Sequence, residues 1–260
     1  ENARLVALLD SHGIEWRKTA EADVQPAASA LSTDQKVALF RRLFRGRADV
    51  YPVRWESKAG KSGYAPACAN EWRAGVCEKP RIKCSECGHR SLIAPTERTI
   101  FDHLAGRHTT GVYPLLTDDT CNLLAVDFDD AEWREDAKAF AQSCRKLGVP
   151  VALEISRSGE GAHAWVFFSA SVAARDARRL GTALISFTCA RTRQLKLTSY
   201  DRLFPSQDTL PKGGFGNLIA LPLQKLPREQ GRSVFVDDAL QPFPDQWVFL
   251  ASIAPMAACD

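Results

Sequence analysis

The alternation of hydrophobic and polar positions is clearest in the second half of the chain. Residues 121–129 (CNLLAVDFD) are mostly apolar until two acids at the end, which is typical of a buried strand. Apolar residues then recur at helical spacing through 130–147, and Gly148 predicts the end of that helix. The same reasoning predicts, in order, a strand at 150–155, a strand at 162–168, a helix at 171–190, and strand-like pieces near 195–201 and 217–223.

This order of elements, β-α-β-β-α-β, is the ferredoxin-like split pattern that RNA-recognition-motif (RRM) modules also use. We therefore predict an α+β fold, in which an antiparallel sheet is backed by two helices. The predicted RRM-like core spans about residues 115–225.

The first half of the chain is less regular. Apolar residues recur at helical spacing within 1–50, which predicts a helical segment with a linker near 20–33. Residues 51–98 are rich in Gly, Pro, Cys and charge and show little periodicity, which favours loops held by a metal. The predicted domains are therefore a helical segment at 1–50 and one larger domain at 51–260, with a zinc-binding region at 64–90.

Composition narrows the function only slightly. Hydrophobic residues make up 45% and charged residues 25%, which is ordinary for a globular protein, and the net charge of +3 is too small to argue for nucleic acid by itself. No apolar run approaches the roughly 18–20 residues that span a bilayer. Residues 1–10 carry acids and lack a long apolar stretch, so we expect no secretory signal there.

Two carboxylates stand at the end of the first predicted strand of the core. Asp127 and Asp129 are two residues apart, so they face the same way in a strand. Two like charges this close are costly unless a cation neutralises them, and Mg²⁺ or Mn²⁺ favours such oxygen ligands. The alternative is that Asp129 or Asp130 simply caps the helix that follows.

A glycine-rich segment, 156–163 (SRSGEGAH), lies one helix and one strand later. Its glycines, Gly159 and Gly161, allow backbone N–H groups to turn inward and hold an anion, as in phosphate-binding nests. His163 opens the next strand and could donate a hydrogen bond to a triphosphate. The alternative is an ordinary β-hairpin turn followed by a core histidine.

A third segment, 199–217 (SYDRLFPSQDTLPKGGFGN), adds two candidate acids, Asp201 and Asp208. Two-metal catalysis generally uses a further carboxylate to share the cations. Lys212 and the glycines beside it could lie close to phosphates. The alternative is a surface loop rich in Pro and Gly.

Four cysteines are bunched within twenty residues, in the spacing Cys68-x8-Cys77-x6-Cys84-x2-Cys87. Four thiolates can close a tetrahedral Zn²⁺ site, and the CxxC pair supplies the usual tight half of it. Such a site has no open position, so the predicted role of the zinc is structural. His89 is a candidate substitute ligand, and the alternative is four unrelated reduced cysteines.

These motifs in this order resemble a known family. Asp127-x-Asp129, the segment 158–163 and an acid within 201–208 are similar to motifs I, II and III of the archaeo-eukaryotic primases. The resemblance is closest to the primase–polymerase domains of TOTE-type conflict systems and of CRISPR-associated primase–polymerases, and it covers roughly residues 50–250. The stretches that carry it are CANEWRAGVC, GVYPLLTDDTCNLLAVDFD, SRSGEGAHAWVFF and SYDRLFPSQDTLPKGGFGNLIALPLQ.

The resemblance implies an RRM-like catalytic module joined to a second αβ module, and DNA-directed synthesis with two Mg²⁺ or Mn²⁺ ions. Asp127 and Asp129 would be metal ligands. For the third ligand, Asp201 fits the family's motif of a hydrophobic residue followed by Asp, whereas Asp208 has the better spacing to the strand that follows. We predict Asp208. The residues assigned to nucleotide binding are Arg157, Ser158, Gly159, Gly161, His163 and Lys212.

The implied partners are a DNA template with or without a primer, dNTPs or NTPs, and a fused or associated helicase or nuclease. We expect a cytoplasmic protein, bacterial or encoded by a mobile element. Two other functions stay open from the residues alone. One is a non-catalytic RRM-like and zinc-knuckle module that binds single-stranded nucleic acid, which predicts exposed aromatics on the sheet in place of paired acids. The other is a metal-dependent nuclease, against which the glycine loop with His163 argues.

Overall fold

The structure, a computed structural model, describes residues 30–192 and 202–257, and those from Leu31 onward form one compact unit. The described helices are α1 (Thr33–Leu43), α2 (Glu97–Leu104), α3 (Trp133–Lys146), α4 (Ala174–Thr192), α5 (Lys225–Glu229) and α6 (Gln246–Ser252). The described strands are β1 (Pro52–Glu56), β2 (Ser62–Pro66), β3 (Gly111–Val112), β4 (Thr120–Phe128), β5 (Ala152–Ile155), β6 (Ala162–Ala173), β7 (Leu203–Phe204), β8 (Ile219–Ala220) and β9 (Val234–Val236). Within this part of the chain, no helix has the length and apolarity needed to cross a bilayer.

The central sheet is antiparallel and has the spatial order β7-β4-β6-β5-β9. The apolar run that predicts a strand at 121–129 is β4, which is buried from Cys121 to Val126. The register places Asp127 of β4 opposite His163 of β6, and His163 opposite Glu154 of β5. Residues opposite each other in neighbouring strands point to the same face, so these three polar residues share one face of the sheet.

Helices α3 and α4 cover the other face of this sheet. The ring of Phe140 in α3 lies 5.6 Å from that of Phe128 in β4. A Cβ at Gly181 of α4 would lie 2.8 Å from Leu203 Cδ2, so this helix approaches the sheet closely. Both predicted core helices are confirmed, and α3 ends just before Gly148, which adopts the left-handed φ of +73° that favours glycine.

The end of α1 packs on the face that carries the polar residues. The helix begins after Ser32, which forms a capping box with Gln35. Phe44, directly after the helix, places its ring 5.1 Å from that of Trp165 and 5.2 Å from that of Phe167, both in β6. This apolar contact anchors α1 to the central sheet.

Two small antiparallel ribbons, β1 with β2 and β3 with β8, lie outside the central sheet. The piece predicted near 217–223 is β8, which pairs with β3 instead of joining the main sheet. The prediction of loops throughout 51–98 was wrong, because β1 and β2 form within it. These five-residue strands mix exposed and half-buried positions, so their sequences lack the alternation that reveals a strand. The strand-like piece near 195–201 lies outside the described residues.

Candidate active site

A row of three polar side chains crosses the central sheet where β4 ends and β6 begins. His163 stands in the middle, with its Nδ1 2.8 Å from Glu154 Oε2 and its Nε2 3.6 Å from Asp127 Oδ1. Trp165 Nε1 donates a second hydrogen bond, of 2.9 Å, to the same Glu154 oxygen. Because Glu154 fixes Nδ1, the Nε2 of His163 is turned toward Asp127.

The charges in this row favour a protonated histidine. Burial opposes the charged imidazole, but the charge and hydrogen bond of Glu154 and the charge of Asp127 outweigh it and raise the pKa of His163 above its usual value. Glu154 is only 1% exposed, so its carboxylate depends on these two partners. A charged His163 at this position can donate from Nε2 to an anionic group.

Asp129 lies just beyond the end of β4 and is more exposed than Asp127. Its side chain is 56% exposed, against 27% for Asp127. Arg202 forms an ion pair with Asp129, and its Nη2 lies 3.2 Å from Asp130 Oδ1. The two acids of the DxD motif therefore stand at one end of the sheet as oxygen donors with partial access to solvent. This donor set fits Mg²⁺ or Mn²⁺, and in this structure a guanidinium balances part of its charge.

The glycine-rich segment forms the tight turn between β5 and β6. Ser156 N donates to the Gly161 carbonyl at 2.9 Å, and Gly159 N donates to the Ser156 carbonyl at 3.0 Å. The Ser158 hydroxyl lies 3.0 Å from that of Ser156 and accepts a hydrogen bond from Glu160 N. The predicted segment is thus a hairpin turn, and it also lies beside the acids.

Gly161 brings this turn against the end of β4. A Cβ at this position would lie 2.6 Å from the Phe128 carbonyl oxygen and 3.5 Å from Asp129 Cα. No larger residue fits without displacing backbone, so the close approach requires glycine. The structure therefore brings together Asp127, Asp129, the turn and His163.

The β1–β2 ribbon contributes charged and aromatic groups near the same turn. Burial raises the pKa of Tyr64 in β2, against the lowering effect of the nearby guanidinium groups of Arg157 and Arg54. Arg54 lies opposite Tyr64 in the ribbon register. Arg157 of the turn and this ribbon are therefore close enough to interact electrostatically.

The segment that carries Asp208 and Lys212 lies elsewhere. Asp208 forms an ion pair with Arg178 of α4, and Leu210 N donates to Asp119 Oδ1 at 2.7 Å, just before β4 begins. Seven residues of strand, or about 20 Å, separate that end of β4 from Asp127. The described contacts do not bring Asp208 or Lys212 to the other acids. Asp201 lies outside the described residues.

Comparisons with known proteins identify the family of this chain. The family model described as "TOTE conflict system, Archaeo-Eukaryotic Primase domain" matches residues 35–260. The chain belongs to this family. Among solved structures, the polymerase domain of Ligase D from Mycobacterium tuberculosis, in complex with DNA, is similar at 14% sequence identity and a TM-score of 0.44, over 86% of this chain and 83% of that one. No curated protein matches the chain.

In this archaeo-eukaryotic primase domain, the four clustered cysteines line one small cavity of about 20 Å³ together with His89. The thiols of Cys68, Cys77, Cys84 and Cys87 are all free and half-buried. Across the described ranges, no three His, Cys, Asp or Glu side chains stand close enough together to hold a metal ion in their present positions. Four unpaired thiols around one cavity nevertheless form a donor set that suits zinc.

The aromatic side chains of the sheet argue against a non-catalytic RRM-like module. A non-catalytic RRM-like module predicts exposed aromatics, but Trp165 is 0% and Phe167 is 3% exposed beneath Phe44. On that face, Asp127, His163 and Glu154 occupy the end of the sheet. Sequence reasoning missed Glu154 and Arg202. A Glu inside the apolar run 150–155 was a usable signal, because a buried carboxylate needs a partner.

Proposed function

We propose that this primase-family domain is a template-dependent nucleotidyltransferase, a DNA primase or DNA polymerase that forms phosphodiester bonds from nucleoside triphosphates. The observation that carries the proposal is the convergence of Asp127, Asp129, His163 and the glycine-rich turn at one end of the central sheet. Its strands β4, β5, β6 and β7, with α3 and α4, would form the RRM-like catalytic module, and the smaller ribbons would belong to the second αβ module.

Asp127 and Asp129 would hold the divalent ions, Mg²⁺ or Mn²⁺. When bound, two such ions supply charge neutralisation for the triphosphate and activation of the attacking hydroxyl. In this structure Arg202 forms an ion pair with Asp129. A divalent ion would compete with this guanidinium for Asp129.

The protein's own groups would position the triphosphate. His163 is held by Glu154 with Nε2 directed toward Asp127, so it can donate to a phosphate oxygen beside the acids. Ser158 and Gly161 of the turn would provide backbone N–H groups, and Arg157 positive charge, around the same anion. Gly159, whose N–H already donates to the Ser156 carbonyl, would line the nucleotide site. Fixed donors of this kind stabilise developing charge without the cost of reorganising solvent.

The third metal ligand is proposed from the motif order, and Asp208 and Asp201 are the candidates. For Asp208 to serve, it would have to leave Arg178 and approach Asp127, and Lys212 would have to move with it. Separate Asp208→Ala and Asp201→Ala variants decide the matter. The ligand is the acid whose removal abolishes incorporation, and retained activity in Asp208→Ala would reject the original assignment.

A structural zinc ion is proposed for Cys68, Cys77, Cys84 and Cys87. Elemental analysis of the purified protein should find about one zinc per chain, because four thiolates complete a tetrahedral shell. The Cys84→Ser variant should lose it. A wild-type protein without zinc, prepared without chelator, would overturn this part of the proposal.

The proposed partners are a DNA template, with or without a primer, and dNTPs or NTPs, in a cytoplasmic setting. A fused or associated helicase or nuclease is proposed from the family alone.

The direct test is incorporation of labelled dNTPs and, separately, NTPs on a single-stranded template, with and without a primer, in Mg²⁺ or Mn²⁺. Template-complementary products that require a divalent ion support the proposal. Degradation of the template without synthesis indicates the nuclease alternative. Binding of the template with neither reaction indicates a non-catalytic module.

A further inference from the structure

A cationic cavity of about 400 Å³ lies beside the glycine-rich turn, and its basic side chains have no role in the site described so far. Three of its lining side chains are basic, from Arg134 and Lys138 of α3 and from Arg232. Its lining contains no Asp or Glu, although the first turn of α3 carries acids. The field inside such a cavity favours an anion.

Two of the three cations are held in place by their neighbours. Arg232 Nη1 donates to the Ser158 carbonyl at 3.1 Å, and its stem packs so closely on the turn that a Cβ at Gly159 would lie 2.6 Å from Arg232 Cδ. The guanidinium of Arg134 lies 4.3 Å from the ring centroid of Trp133, which is only 4% exposed. These contacts reduce the entropy that the side chains would lose on binding a ligand.

Lys138 of α3 is the third cation that lines the cavity. It forms no ion pair with any described residue and lies one turn along α3 from Arg134. Residues four apart on a helix share a face. Both side chains therefore reach the cavity from α3, whereas Arg232 reaches it from the segment before β9.

The cavity shares a wall with the proposed nucleotide site. Ser158 and Gly159 line the cavity, while Gly161 of the same turn contacts the end of β4 beside Asp129. The cavity lies on the α3 side of the sheet, whereas Asp127 and His163 face the other side, so the turn stands between the cavity and these residues. In a reaction that releases pyrophosphate at the acids, the departing group would reach the cavity by passing the tip of this turn.

We propose that this cavity is a polyphosphate site that takes pyrophosphate, either as the terminal phosphates of a bound nucleotide or after release. The source of the ligand rests on the proposed function, but the binding itself does not. Arg134, Lys138 and Arg232 provide the charge, and the turn provides polar wall. The site is separate from the contacts assigned to Arg157 and His163.

The test is calorimetric titration of the protein with inorganic pyrophosphate in EDTA, so that no divalent ion takes part. The double variant with Arg134→Gln and Lys138→Gln should bind at least about tenfold more weakly, since two charge-assisted contacts are removed. The matched control, Arg175→Gln with Arg179→Gln, removes two exposed charges from the start of α4, away from the cavity, and should bind like the wild type. Lys138→Arg should also retain affinity, because it keeps the charge.

Three results would overturn the proposal: no pyrophosphate binding by the wild type, an unchanged affinity in the double variant, or an equal loss in the control. A loss of single-stranded DNA binding with unchanged pyrophosphate affinity would also overturn it, and would assign the cavity to a nucleic-acid backbone. Because the titration needs no turnover, it can succeed even if the incorporation assay fails. Titration with a nonhydrolysable nucleoside triphosphate distinguishes bound nucleotide from released product.

Discussion

At the scale of single residues, the site depends on Glu154, which sequence reasoning missed. Its buried carboxylate accepts hydrogen bonds from Trp165 and His163, and it raises the pKa of His163. The signal was present as a charge inside an apolar strand, but its partner was not readable. Only the register of the β5–β6 hairpin brings residue 154 opposite residue 163, and a shift of one residue would turn the side chains to the other face.

Replacing Glu154 with Gln keeps the shape and removes the charge. The pKa of His163 should fall, because its main charge partner is gone. The imidazole should then bind phosphate more weakly. We expect nucleotide incorporation to fall by about tenfold or more, mainly through a higher KM, measured by steady-state kinetics. The control Glu97→Gln removes an exposed glutamate paired with Arg41 and should have no effect. Wild-type kinetics in Glu154→Gln would contradict this role.

At the scale of elements, the cysteine-rich region supports the loop that carries Lys212. Arg90 Nη1 donates to the Gly213 carbonyl at 2.7 Å, and its guanidinium lies 5.5 Å from the Phe215 ring centroid. The same Nη1 lies 3.4 Å from the Ser85 carbonyl, within the CxxC pair. One side chain therefore joins the two segments.

If zinc holds the CxxC pair, its removal should loosen residues 205–217. We expect Cys84→Ser to increase proteolytic cleavage within that loop, detected by mass spectrometry of limited digests. Arg90→Ala should do the same while retaining zinc. Arg81→Ala, which removes an exposed cation of the same region that pairs only with Glu78 among described residues, should leave the digest unchanged. A protected loop in Arg90→Ala would reject the link.

Elements were predictable wherever apolar periodicity was strong. β4, α3 and α4 could be read because each buries a continuous apolar face. The pairing of β8 with β3 could not, because two-residue strands carry no periodicity and form only where tertiary contacts place them. The same holds for the contact between the cysteine-rich region and the loop, which depends on single hydrogen bonds between distant segments.

At the scale of the whole molecule, His103 ties helix α2 to the second ribbon. It is fully buried, its Nδ1 accepts a hydrogen bond from Thr110 N at 3.1 Å, and its Nε2 lies 2.9 Å from the Pro222 carbonyl. Burial lowers its pKa to about 4, so the ring is neutral at pH 7. This neutral ring joins parts of the chain that are more than a hundred residues apart.

Acid should therefore weaken the fold through His103. Its folded pKa lies below the usual 6.5, so the unfolded chain takes up a proton first as pH falls. The stabilisation is complete above pH 6.5 and is lost between about 6.5 and 4, by about 3 kcal/mol. Urea unfolding at pH 7 and pH 4 should show a smaller pH-dependent loss in His103→Gln than in the wild type. An identical loss in both would show that His103 does not carry it.

The central claim is that the carboxylates at the end of β4 perform the chemistry of nucleotide transfer. The most direct measurement is single-nucleotide incorporation on a primed template by Asp127→Asn, compared with the wild type and with the surface control Asp238→Asn, each with its fold checked by circular dichroism. We predict that Asp127→Asn folds like the wild type and incorporates nothing, while Asp238→Asn remains active. Normal incorporation by a folded Asp127→Asn protein would contradict the account.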